Sequence, residues 1–224
     1  GSAISPSAEQ DLGAIRGALV VPGLPMQLPE YAGQADAGGE IRERSVAALV
    51  EAIADWKPSA VVVVAGHDPL AEHTKGSVGA HVARLLLAGA GWEGPVREIS
   101  VPIDADPGEL DGAAERVLEG RTATGALVLV PADLSAKRTE SAPGHFDARA
   151  AAFDAHVLDA IASGDAAALI RSDLVLAQEL WATGQAPLQV LARVLPAPVR
   201  SEIMWSALPW GVQYVRARWW GRKA

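Results

Sequence analysis

The sequence predicts a single α/β domain: a parallel or mixed central sheet with helices on both faces. Three observations carry this. Short apolar runs rich in Val recur along the chain, they alternate with longer stretches at helical spacing, and Gly, Pro or Asp punctuates the boundaries. The 224 residues are half hydrophobic and include no Cys, so the core must form without disulfides or thiolate metal sites.

Ala14 to Val21 reads as a buried first strand, ended by the rigid Pro22-Gly23-Leu24-Pro25 loop. Glu40 to Trp56 places Ile41, Val46, Leu49, Val50 and Ile53 at helical spacing, and Pro58 stops it. Ser59 to Ala65 is a continuous apolar run, as expected of a strand covered on both faces. Gly66-His67-Asp68-Pro69 follows as a loop. Val78 to Gly89 reads as a helix and Val96 to Val101 as a strand. Asp106 before Pro107 is an N-cap signal for a helix to about Glu119. Gly125 to Pro131 is another buried strand, and Asp147 to Ala162 a long helix. Asp165 to Thr183 reads as helical with a break at Ser172-Asp173. Pro187 to Leu195 forms a further helix. Ser201 to Trp205 and Val212 to Trp219 close the sheet. There is no internal repeat and no linker that would mark a boundary.

A net charge of −8 disfavours a nucleic-acid partner, because phosphate binding requires clustered cations. No apolar run reaches the roughly 18 residues a membrane helix needs. A cytoplasmic location is expected, with no membrane partner. Gly1-Ser2 reads as the scar of a cleaved tag, and residues 1–10 as a flexible N-terminus before a domain over 11–224. Seven Trp against two Phe and two Tyr is an unusual balance. Packing in the core or at an oligomer interface is the main expectation for them. The tail from Arg216 to Lys223 reads as an interface strand with snorkelling cations.

In an open α/β sheet, ligands bind outside the carboxyl ends of the strands. That brings three segments to one rim: Pro22–Pro29, Gly66–His73 and Ala132–His145. His67, at a strand end beside Asp68, is the strongest site candidate, with Asp68 expected to orient its ring. Asp133 follows an apolar strand, so its carboxyl is expected to be partly desolvated and suited to proton transfer; a loop cap is the plainer reading. His145 could bring a second imidazole to the same pocket. Ser135 lacks the context of a nucleophile. Lys137 could hold an anionic substrate, and Trp210 could stack on an aromatic one.

The stretch Val130 to Asp154 reads VPADLSAKRTESAPGHFDARAAAFD. It resembles a segment of the class III extradiol dioxygenases and their Memo-like relatives: a strand end near G-D-L-S-H-R, then A-P-x-x-Y-D-x-R-x-x-x-F-D. Four further elements follow the family order: Val21-Pro22-Gly23-Leu24-Pro25, Val61 to His67, Ala182-Thr183-Gly184, and Leu208-Pro209-Trp210-Gly211-Val212-Gln213-Tyr214. The resemblance spans most of the chain. It implies the family fold and a homodimer or larger assembly. It also implies an Fe(II) site of two histidines and a carboxylate, with a further acid/base histidine. Here Gly23 stands for the first histidine, Ala136 for the acid/base, and Ala182 or Thr183 for the third ligand, while His67 is kept. Ring cleavage of the usual kind is therefore not expected.

The expectation is a diverged member that acts on a small aromatic or carboxylate-bearing molecule by metal-independent chemistry. His67, Asp133 and His145 would move protons, and Gly23, Asp68, Ser135, Lys137 and Trp210 would bind substrate, with no cofactor. Two alternatives stand beside it. One is a non-catalytic binding or structural subunit that uses its tryptophans as an interface. The other is an Fe(II) or Zn enzyme with a rebuilt site from His67, His73 and His145, completed by Asp133 or Glu72.

Overall fold

Six strands form one mixed sheet in the order β3-β2-β4-β1-β6-β5. They are β1 (Ile15–Val21), β2 (Ala60–His67), β3 (Val96–Pro102), β4 (Ala126–Pro131), β5 (Arg200–Ala207) and β6 (Tyr214–Trp220). The computed structural model describes residues 15–23, 35–71, 77–119 and 125–222. β1 to β4 are mutually parallel, and β6 runs antiparallel to both β1 and β5. The helices are α1 (Ala35–Trp56), α2 (Val78–Gly89), α3 (Pro107–Glu119), α4 (Ala150–Ser163), α5 (Ala166–Ile170), α6 (Leu174–Glu179) and α7 (Gln185–Val194).

The α/β class read from the sequence is the class observed. The central strands are apolar on both faces, and their alternation divides the core in two. Val61, Val63, Leu127 and Leu129 pack with Leu49 of α1 and Leu86 of α2. Val62, Val64, Val128 and Val130 face the other way, onto Leu110 of α3, Val157 of α4 and Leu188 of α7. Each such fully buried side chain contributes about 1.5–3 kcal/mol of apolar burial. Handedness explains which helices share a face. From β1 to β2 to β3 the chain steps one way across the sheet, so α1 and α2 lie together. From β3 to β4 it steps back, and a right-handed crossover then puts α3 on the opposite face.

Local signals hold at most boundaries. Ser77 caps α2 by accepting from the Ala80 amide at 3.3 Å. Asp106 and Glu109 form a reciprocal capping box at α3, at 2.7 and 3.2 Å. The break at Ser172-Asp173 separates α5 from α6, and Asp173 caps the latter.

The C-terminal strand departs from expectation. β6 is an interior strand, so its cations do not snorkel to a surface: Arg216 and Arg218 are each 3% exposed. Arg216 donates to Ser45 Oγ and to the Ile41 carbonyl of α1. Arg218 pairs with Asp55 at 3.0 Å and lies between the rings of Trp56 and Trp220, 4.4 and 4.3 Å from their centroids. Trp219 faces the opposite side, where its indole N–H donates to the Ile161 carbonyl at 2.9 Å. These tryptophans pack inside the domain. No helix among the described residues is long and apolar enough to cross a membrane.

Candidate active site at the carboxyl end of the sheet

α4, which follows β4, packs on one face of the sheet, and α1 and α2, which follow β1 and β2, pack on the other. Their divergence opens a crevice beside the end of β4, the place where this architecture binds ligands. A cavity of about 740 Å³ occupies it. Its wall includes Gly23 after β1, His67 and Asp68 at the end of β2, Ser100 of β3, Asp133 after β4, and Thr183 before α7. The first turn of α2 completes it with Ser77, Val78 and Gly79.

His67 is the last residue of β2. The Ser100 hydroxyl lies 2.6 Å from its Nδ1 and fixes the ring. Asp68 does not orient it: its Oδ1 accepts from the Leu70 amide at 2.9 Å and opens the short turn Pro69–Ala71. Ser77 Oγ donates to the Gly66 carbonyl at 2.6 Å and ties the α2 N-terminus to the end of β2.

Asp133 follows β4 and lines the crevice, partly buried. Its Oδ1 accepts from the Gly23 amide at 2.8 Å, and its backbone carbonyl from the Gly184 amide at 2.9 Å. It caps across the sheet rather than within its own loop. One amide hydrogen bond does not offset the desolvation of a carboxylate, and burial pushes its pKa up to about 7. Gly184 is required here. A Cβ would stand 2.6 Å from both Ala132 Cβ and the Asp133 carbonyl oxygen, so any side chain would push α7 off the site. Burial also raises the phenol of Tyr214, and the neighbouring Asp133 charge adds to it.

The other expected residues lie elsewhere. Ser135 is fully buried and donates to Asp154 through its amide, at 2.9 Å, and its hydroxyl, at 2.6 Å. Arg138 reaches the same carboxylate at 3.3 Å and Gln213 Oε1 at 3.1 Å. This buried network holds the 132–138 loop against α4 and the 208–213 loop, and Ser135 has no place on the cavity wall. His145 is exposed in a turn at φ 60°, outside the residues that line the cavity. Lys137 lies over the Trp181 ring, and Trp210 packs edge-on against Tyr214 at 6.4 Å. Ala136 is buried with Ile41, Val212 and Tyr214. His73 and Glu72 fall outside the described residues.

The structure thus brings together His67, Asp133, Gly23 and Asp68 and leaves His145, Ser135, Lys137 and Trp210 off the wall. Sequence reasoning missed Ser77 and Ser100 as cavity residues. An N-cap signal at Ser77 was readable in the sequence; nothing marked Ser100 apart from its strand. Among the described residues, no three of His, Asp and Glu converge as a metal-holding group. The residues on the wall therefore do not fit the iron site that the resemblance implies. No protein-family model matches the sequence, and no curated protein matches it.

Proposed function

We propose that the chain is an enzyme that binds a small aromatic or carboxylate-bearing molecule in the 740 Å³ cavity and moves protons on it with Asp133 and His67. One observation carries this reading: a carboxyl group held by a single amide hydrogen bond and an imidazole fixed by Ser100 line one crevice at the switch point of the sheet. A general acid/base works best when its pKa lies near the operating pH, and desolvation brings Asp133 there. Ser100 holds the imidazole through Nδ1, which leaves Nε2 for a ligand. His145 drops out of the proposed machinery, since it does not line the crevice.

The placement also supports kinship with the class III extradiol dioxygenase and Memo-like proteins. Gly23, His67 and Thr183 line the same crevice from three different segments, and the resemblance puts metal ligands at Gly23, at His67 and at Ala182 or Thr183. In this reading the pocket persists while every metal ligand but His67 is lost. Burial of Trp219 and the stacking of Trp220 on Arg200 and Arg218 weaken the alternative of a subunit with a C-terminal tryptophan interface.

The test is solvent-deuterium incorporation into a panel of aromatic and carboxylate-bearing compounds, followed by mass spectrometry. Asp133→Asn and His67→Gln should each slow exchange by about 100-fold or more, the usual contribution of a general acid or base. Exchange that persists in both variants, or none with the unaltered chain across the panel, overturns the proposal. The latter result would favour a binding module.

A further inference from the structure

A second cavity, of about 560 Å³, lies beside the first and is lined by Leu70, Asp104, Gln178 and Trp181, among others. The two share Asp68, Ile103 and Thr183, so they form one groove with two seats. The second seat displays apolar side chains to solvent. Leu70 is 94% exposed and Trp181 is 51% exposed.

The backbone at Trp181 is the telling feature. α6 ends in a two-bond cap: the Trp181 amide donates to the Gln178 carbonyl at 3.1 Å and the Ala182 amide to the Ala177 carbonyl at 2.8 Å. This is the Schellman pattern, and its left-handed position is normally filled by Gly. Here the position holds the largest side chain, at φ 58°. A bulky residue in that region is disfavoured, so the indole works against the cap that carries it. The residue is not spent on the core, since it stays half exposed. Lys137 Nζ lies 5.4 Å from the ring centroid. Lys137 does not line the groove, so it backs the ring rather than filling the seat.

We propose that this second cavity seats a flat apolar, aryl-type group of the substrate, with the Trp181 ring as its platform. The proposal rests on the reading of His67 and Asp133 as the reacting end. Asp104 lines the second cavity and not the first, so an anion is disfavoured there, which leaves an acidic or carbonyl head group to the Asp133 end. Trp181 would then set specificity for length and aromaticity.

The experiment compares butyrate with 4-phenylbutyrate, titrated by ligand-observed NMR at pH 6. The proteins are the unaltered chain, Trp181→Gly and Asp133→Asn. Glycine suits the left-handed backbone, so W181G removes the ring without threatening the fold. The phenyl compound should bind at least about tenfold tighter to the unaltered chain, as a well-seated ring does. In W181G that ratio should fall below about threefold, with butyrate affinity unchanged and thermal stability equal or higher. A preserved ratio in W181G overturns the aryl platform. Weaker binding of both acids in D133N supports the head-group end, and equal binding there refutes that reading while the phenyl result stands on its own. No binding of either acid at millimolar concentration overturns both.

Discussion

Replacing Asp133 by Asn tests the physics of the site without any knowledge of the substrate. In the folded chain the carboxyl pKa rises from 3.8 to about 7, chiefly through burial. The native state therefore holds this proton more tightly than the unfolded chain does. The stability linked to the group is complete below the unfolded pKa and is lost as pH rises toward the folded one. At about 1.36 kcal/mol per pH unit, the whole span of roughly three units corresponds to about 4 kcal/mol as an upper limit. Between pH 5 and pH 8 only the part from 5 to 7 applies, or about 2.7 kcal/mol. Asn has nearly the same shape, carries no charge, and can still accept from the Gly23 amide. The Asn variant should thus gain on the parent by roughly 2–3 kcal/mol between pH 5 and pH 8. Urea unfolding of both chains at the two pH values measures this. Every other titrating group is common to both chains and cancels in the difference. For a domain of this size, about 2 kcal/mol corresponds to a midpoint shift of about 4–8 °C, which thermal scans would resolve. A difference between the chains that is independent of pH, or one that favours Asp at pH 8, would refute the claim that the carboxyl is desolvated and held without adequate compensation.

Two further outcomes follow from the geometry around that carboxyl. Asp154→Ala strands the buried Ser135 hydroxyl and amide and leaves Arg138 without its ion pair. It should cost about 3 kcal/mol in chemical unfolding, and a loss below about 1 kcal/mol would show the network to be dispensable. Gly184→Ala forces a Cβ to within 2.6 Å of the Asp133 carbonyl oxygen and 2.7 Å of its amide nitrogen. It should destabilise the chain by about 2 kcal/mol or more, and the pH dependence assigned to Asp133 should shrink as α7 moves away; an unchanged midpoint would mean the backbone yields freely.

The central strands were legible because a run such as Val61 to Val64 needs cover on both faces, and only a sheet between two helical layers supplies it. The helix start at Pro107 was legible because Asp106 satisfies an orphan amide within one turn. Those are local effects. The error over β6 has the opposite character. Arg216 and Arg218 look like surface residues until Ser45, Asp55 and the Trp56 ring, all on the distant α1, meet them across the sheet.

The site divides along the same line. Sequence alone determined the α/β class and put His67 and Asp133 at the carboxyl ends of buried strands, because apolar runs and the polar residues that end them are written in order along the chain. Only the tertiary structure decided that Ser135 turns inward to Asp154, that His145 stays outside, and that Ser100 rather than Asp68 holds His67. The same holds for the glycine at 184, which lets α7 approach Asp133. Each of these depends on the direction of a side chain across a gap between segments far apart in the chain. Strand order and helix docking set that direction, and no spacing in the sequence encodes it.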